Sequence, residues 1–210
     1  MASKTEVLEI KEVRPQMIAV RIVGDTDLVL NKMNDPTARQ LTDARKGKGK
    51  KIEVPDMWEE IITAMHWRDG KPSEFSADSL LKALAENAPC LTAFGLKKSF
   101  GEAVVRLGID NYSTKFDASV NIIAPAGLVP IRFTEHVIDE KLMSPKKGAP
   151  VLVHLNRFIG WSADIHISFI DSVYSTEQLV NIINLAGFGI GIGSGRRSCG
   201  YGRYHIEGVE

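Results

Sequence analysis

Residues 175–207 read STEQLVNIINLAGFGIGIGSGRRSCGYGRYHIE. The stretch opens as a helix. Ser175 is an N-cap residue, and Gln178 stands three places on, the capping-box spacing. Leu179, Ile182, Ile183 and Ala186 then recur at helical intervals and make one buried stripe. Gly187 reads as the C′ residue that ends the helix. From Gly187 to Arg203, seventeen residues include seven glycines and three arginines. GRYHIE closes the stretch as a short strand.

The glycines invite a nucleotide-binding reading, and their position rejects it. A dinucleotide loop lies between a strand and a helix, so that the pyrophosphate meets a helix N-terminus. Here a helix precedes and a strand follows. A Walker A loop needs Gly-Lys and then Ser or Thr, whereas Gly195 is followed by Arg196 and Arg197. A tight turn explains one or two glycines, not seven. Repeated glycine marks backbone that takes positive φ or passes close to something else. The N–H groups of such loops form anion-binding concavities. Arg196, Arg197 and Arg203 add charge-assisted contacts to phosphate. Tyr201 and Tyr204 either stack on bases or pack on the sheet.

Upstream, WSADIHISFI (161–170) alternates cleanly, with Trp161, Ala163, Ile165, Ile167 and Phe169 on one face. Val151 to Asn156 reads as a strand joined to it through RFIG. Val120 to Ile123 and Leu128 to Ile138 are further strands, separated by PAG. Gln16 to Met33 is strand-like and is interrupted at Gly24 and Asp25. Helices are expected from Asp56 to Trp67 and from Ser76 to about Leu91, the latter with a Leu80, Leu81, Leu84, Ala88 stripe. Phe100 to Leu107 is ambiguous between helix and strand. Asn34 to Pro55 reads as a loop. Within it Arg45, Lys46, Lys48, Lys50 and Lys51 put five cations into seven residues. That makes it either a solvated insertion or an arm that meets phosphates.

Reduced to its core the order is β-α-β-β-α-β. This is an α+β chain with a ferredoxin-like, RRM-like (split βαβ) core and helical and loop insertions. One domain is expected over residues 1–210, with the insertions at about 34–115. Lys plus Arg and Asp plus Glu both number 26, so the formal net charge is zero and any anion site comes from local clustering. Cys90 and Cys199 form no CxxC pair, which leaves no four-cysteine zinc site and no disulfide framework. Two free thiols suit a reducing compartment. The N-terminus is charged and lacks an apolar run, and no stretch approaches the roughly 20 apolar residues of a membrane span. A cytoplasmic protein without a membrane partner is expected. No motif implies a cofactor or a metal.

The terminal helix and its GIGSGRRSCGYGRY loop resemble the end of RAMP-superfamily domains, the RNA-binding and RNA-processing proteins of CRISPR effector complexes. The opening IAVRIVGDTDLVLNKM is similar to RAMP first strands. Arg157, Gly160, Trp161, Ser162 and Ala163 resemble an R-x-x-GWSA strand of an uncharacterised group of phage proteins. The resemblance covers about 50 C-terminal residues and, loosely, the first strand. It implies a domain that grips a single-stranded backbone, often as repeated subunits, in a superfamily where some members also cut RNA with a histidine-centred site.

The expectation is a non-catalytic protein that binds single-stranded RNA or DNA, as a homo-oligomer or a subunit of a ribonucleoprotein complex. Its binding residues would be Gly189, Gly191, Gly193, Gly195, Arg196, Arg197, Gly200, Tyr201, Gly202 and Arg203, with the arm from Arg45 to Lys51. Two alternatives stand beside it. One is a metal-independent endoribonuclease in which His154 and His166 face each other from neighbouring strands. The other is a protein-interaction module that imitates a CRISPR subunit. Cys199 among the arginines is a candidate low-pKa thiol.

Overall fold

Trp161, Ala163, Ile165, Ile167 and Phe169 are all buried, and the strand that carries them is the centre of the molecule. The structure is a computed structural model that describes residues 14–47, 56–143 and 151–209. The central strand, β9 (Ser162–Ile170), pairs antiparallel with β1 (Pro15–Gly24) on one side. On its other side β5 (Val120–Ile123) runs beside residues 166–169 and β6 (Leu128–Arg132) beside residues 162–163. The last strand, β10 (Tyr204–Val209), pairs with β1. The order β10-β1-β9-β5 is the four-stranded antiparallel sheet of a ferredoxin-like fold.

The two crossover helices are α4 (Ala93–Arg106) and α6 (Thr176–Gly189). Ser175 accepts from the Gln178 N–H, and the Gln178 side chain answers at the cap, as the capping-box spacing requires. α4 resolves the ambiguous stretch as helix, because Leu96, Phe100, Ala103 and Val104 are buried at helical intervals. It falls inside the region expected to be insertion, yet it is the first crossover helix of the core.

Among the described residues the core carries two large additions. Between β1 and α4 come β2 (Leu28–Leu30), α1 (Asp35–Arg45), α2 (Met57–Thr63), β3 (His66–Trp67), α3 (Ala77–Glu86) and β4 (Pro89–Thr92). Between β5 and β9, after β6, comes a hairpin of β7 (Glu135–Met143) and β8 (Val151–Ile159). β8 pairs with β2, giving a second sheet of order β2-β8-β7. α5 (Thr114–Ser119) leads into β5. The buried apolar side chains of both sheets and of α2, α3, α4, α5 and α6 belong to one cluster.

Several sequence expectations change. Asn34 to Pro55 is not a loop throughout, since α1 occupies Asp35–Arg45. The Asn34 side chain accepts from the Thr37 N–H at 2.9 Å and caps it. Pro36 sits in the first turn, where proline is tolerated, and the glycines begin only after Arg45. α3 stops at Glu86, and Pro89–Thr92 is a strand between β3 and β6. Leu81, expected in the buried stripe, is 65% exposed. Leu128 to Ile138 is two strands. The chain changes sheets at Thr134, whose N–H donates to the Ile159 carbonyl at 3.0 Å.

Asn156 on β8 is fully buried. Its amide donates to the Ile61 carbonyl at 3.0 Å, and its oxygen lies 3.0 Å from His136 Nε2. Burial holds the His136 imidazole below its ordinary value, against the opposing bond to Asn156. His66 is lowered in the same way, by burial and then by Lys32. As pH falls, the unfolded chain therefore takes up these protons first. Stability should be full above about pH 6.5 and should fall progressively below it. Urea denaturation across pH 5 to 8 checks this, and a curve that stays flat from pH 7 to 5 contradicts it.

Candidate nucleic-acid interface

α6 does not end at Gly187. It runs through to Gly189, and Gly187 is buried within it. The reason is β10. A Cβ at Gly187 would overlap the carbonyl oxygen of Tyr204, so only glycine lets the helix lie against the strand. Tyr204 is fully buried, edge-on to Trp161 at 6.1 Å, and burial raises its hydroxyl far above the ordinary value. It is a core residue and is not available to stack on a base.

After Ile190 the loop folds back on itself. The Ile192 N–H donates to the Gly202 carbonyl at 2.9 Å, and a Cβ at Gly202, where φ is +66°, would overlap the Ile192 carbonyl. The loop also lies along the β2 segment. Ser194 N–H donates to Val29 and Gly202 N–H to Asp27, both at 2.8 Å, while Asp25 N–H donates to Arg203 at 2.8 Å. The Thr26 hydroxyl donates to the Gly200 carbonyl at 2.9 Å. The free edge of β2 is thus covered by the loop, which blunts an edge open to other strands. Gly191, Gly193, Gly195, Gly200 and Gly202 all have positive φ. Much of the glycine content therefore serves the fold.

The arginines are placed by a residue that the sequence reading missed. Glu102 on α4 is only 13% exposed and receives three guanidiniums. Arg196 Nη2 reaches one of its oxygens at 2.9 Å, and Arg106, one turn along the helix, reaches the other at 2.7 Å. Arg197 pairs with that second oxygen too. Arg196 is 18% exposed and also donates to the Gly191 carbonyl at 3.3 Å, while Arg197 is 64% exposed. Arg203 braces the loop, with Nη1 donating to the Phe188 carbonyl at 2.9 Å. The half-buried Tyr201 ring lies against Gly195. The Glu102–Arg106 pair has i,i+4 spacing. That spacing was a usable signal, obscured by the ambiguity of the α4 region.

Beside the loop is a cleft of about 300 Å³, lined by Asn31, Lys32, His66, Thr92, Lys98, Gly193 and Arg196 among others. It lies between the end of β2, the start of α4 and the loop. Lys32 is 3.7 Å from Asp35, and the exposed Lys98 stands 6.0 Å from the Phe94 ring centroid. Three guanidiniums on one carboxylate leave two positive charges unmatched, since among the described residues neither Arg106, Arg196 nor Arg197 pairs with a second carboxylate. The chain is neutral as a whole, and this rim is not.

Arg45 and Lys46 stand at and just beyond the far end of α1, about 15 Å along the helix axis from Asp35. They are not part of the cleft. Lys48, Lys50 and Lys51 lie outside the described residues. The open face of the main sheet shows Met17, Ala19 and Arg21 on β1 and Asp164, His166 and Ser168 on β9. Arg21 and Arg132 there share Asp164, at 3.0 and 2.6 Å. These two strands carry no Phe, Tyr or Trp on that face, and the one aromatic ring they show there is His166.

His154 and His166 do not face each other. β8 and β9 belong to different sheets. His154 Nδ1 lies 3.1 Å from Glu60, and His166 is exposed on β9. The Cys199 thiol is held below its ordinary value, but by the Ser198 hydroxyl first and then by Lys141, not by the arginines. Among the described residues no three His, Cys, Asp or Glu side chains are grouped to hold a metal ion. No helix among them is long and apolar enough to cross a membrane.

Topology and site together define a ferredoxin-like α+β protein with a terminal glycine–arginine loop folded onto a second small sheet. No family model matches the chain, and no curated protein does. Among solved structures it is similar to a chain of a type III-B Cmr-beta assembly bound to cognate target RNA, at 13% identity and a TM-score of 0.49. The match covers 93% of this chain and 60% of that one. It is also similar to Cmr6 from Pyrococcus furiosus, at 12% identity and a TM-score of 0.33, over 93% of this chain and 100% of that one. The fold assignment rests on the strand order and registers above.

Gly187→Ala and Gly202→Ala should each destabilise the protein by about 1–3 kcal/mol or more, because the added Cβ meets backbone that cannot move aside. Gly189→Ala should do the opposite, by about 0.4–1 kcal/mol. Its Cβ would meet only Leu107, at an ordinary 3.6 Å. Urea midpoints of the three variants against wild type check the ordering.

Proposed function

We propose that the chain binds single-stranded RNA or DNA without cutting it, by contacts to the phosphate backbone along the cleft and its arginine rim. The observation that carries this reading is the triple pairing on Glu102. Arg196 and Arg197 are held in place by a carboxylate they share with Arg106, and the excess positive charge stands beside a groove edged by Lys32 and Lys98. Ordered guanidiniums suit phosphate oxygens, because little side-chain freedom is given up on binding. Phosphate contacts position a strand without reading its sequence, which suits a site built from loop backbone and cations. Arg45 and Lys46, away from the cleft at the far end of α1, form a second contact with the phosphate backbone. The resemblance of the terminal loop to RAMP domains adds the expectation of repeated copies along a strand, or of a place in a ribonucleoprotein complex.

The test is fluorescence anisotropy with labelled 20-residue oligonucleotides of several sequences over a salt series. Lys98→Ala combined with Arg197→Ala removes two exposed charges without touching the core. Affinity should fall by a similar factor for every sequence. The slope of log K against log salt should shrink by about 0.7 for each phosphate no longer paired. An unchanged affinity and slope overturns the reading.

A further inference from the structure

Phe188 is 83% exposed, the most exposed of the large hydrophobic side chains described. It sits in the last turn of α6, between Gly187 and Gly189. Gly187 is explained by Tyr204, but Gly189 is not explained by the fold. Its φ is not in the left-handed region, and an added Cβ would touch only Leu107. A glycine inside a helix weakens it relative to alanine, so this position gives up stability with no compensating contact inside the protein. The position that follows the ring in the chain therefore carries no side chain to crowd it.

The charges nearby favour one kind of occupant. Arg203 donates to the backbone carbonyl of Phe188 at 2.9 Å, which holds a guanidinium at the end of α6 that carries the ring. The next arginines of the loop are those on Glu102. Leu185, one turn back along α6, and Leu107, beside Gly189, are also exposed, at 39% and 44%, and the Phe188 ring stands out further than either. An aromatic face next to cations matches a nucleotide, whose base stacks while its phosphate is paired. The open sheet face, where an RRM-like fold would carry stacking aromatics, has no Phe, Tyr or Trp from β1 or β9, and its one aromatic ring from these two strands is the exposed His166.

We infer that Phe188 is a base-stacking residue, with Gly189 giving a nucleobase access to the ring. This deepens the proposed function and rests on it. The strand's phosphates would run along the arginine rim while one base leaves the stack to cover Phe188. The site would tolerate any base, because every base has a π-face.

Binding is measured for wild type, Phe188→Ala and Phe188→Tyr with a 15-residue single-stranded RNA and with an abasic ribose-phosphate oligomer of the same length. Phe188→Ala should bind the RNA about tenfold more weakly and the abasic oligomer as tightly as wild type does. Its salt slope should be unchanged, because no charge is removed. Phe188→Tyr should bind as wild type does. Phe188 is exposed, so all three proteins should share one thermal midpoint. If wild type binds RNA but Phe188→Ala binds it equally well, stacking is overturned and backbone binding stands; the ring is then free for a protein partner. If wild type binds neither oligomer, both readings fall.

Discussion

The contact between Gly187 and Tyr204 fixes most of what lies around it. α6 can approach β10 only where the helix has no side chain, and the helix backbone there meets the strand's own carbonyl. This brings the end of α6 beside the start of β10. The intervening loop must therefore leave and return at nearly the same place. A chain forced into that path has to reverse on itself, which is why Ile192 and Gly202 are bonded to each other and why several of the loop glycines take positive φ. Trp161 completes the arrangement from the lead-in to β9. Its ring lies edge-on to Tyr204, and its indole N–H donates to the Thr26 carbonyl at 2.8 Å.

The folded-back loop then becomes a wall for the second sheet. Asp27 shows how tightly the two are joined. Its carbonyl accepts from Gly202, while its carboxylate pairs with Arg157 Nη1 at 2.7 Å. Arg157 also reaches Asp139 on β7, with Nε at 2.6 Å from the carboxylate. One guanidinium on β8 thus ties the hairpin to the lead-in of β2, and the same lead-in holds the loop. Asp139 and then Asp27 hold that guanidinium firmly charged. The hairpin and the loop are thus both held to the segment around Asp27, through residues away from the cleft.

The parts legible in the sequence were those with a strong local signal. β9 alternates without exception, and α6 carries its capping box and its apolar stripe. Those two elements and β1 were enough to place the ferredoxin-like core. α4 was obscure because Gly95, Gly101 and Ser99 dilute its pattern. Gly95 packs beside Thr92, Gly101 beside Ser113, and Ser99 donates to the Gly191 carbonyl at 2.8 Å. The bond from Ser99 is a tertiary reason invisible from local spacing. The split of Leu128 to Ile138 into two sheets depends on Ile159 and Gly160, more than twenty residues away. At the site, the type of residue was legible and its partner was not. Three arginines near glycines are visible as a local pattern, but nothing adjacent in the chain names Glu102, since the distance in sequence from Glu102 to Arg196 is 94 residues.

Glu102 changes what Arg196 and Arg197 can do, and it gathers them with Arg106, not with Arg203. A cluster of three unpaired guanidiniums would repel itself and would be disordered until a ligand arrived. A single, nearly buried carboxylate orders them and still leaves charge to spare. The attraction that remains is local, because solvent ions screen exposed charges beyond about 8 Å at physiological salt. A neutral chain can therefore hold a basic rim without drawing in polyanions over its whole surface. The same pairing divides the labour within the rim. Arg196, inward and bonded to the Gly191 carbonyl, sets the loop's shape; Arg197, largely exposed, keeps donors free. Glycine and arginine thus act at different levels: the glycines decide where the backbone can go, and Glu102 decides which of the arginines faces outward when it gets there.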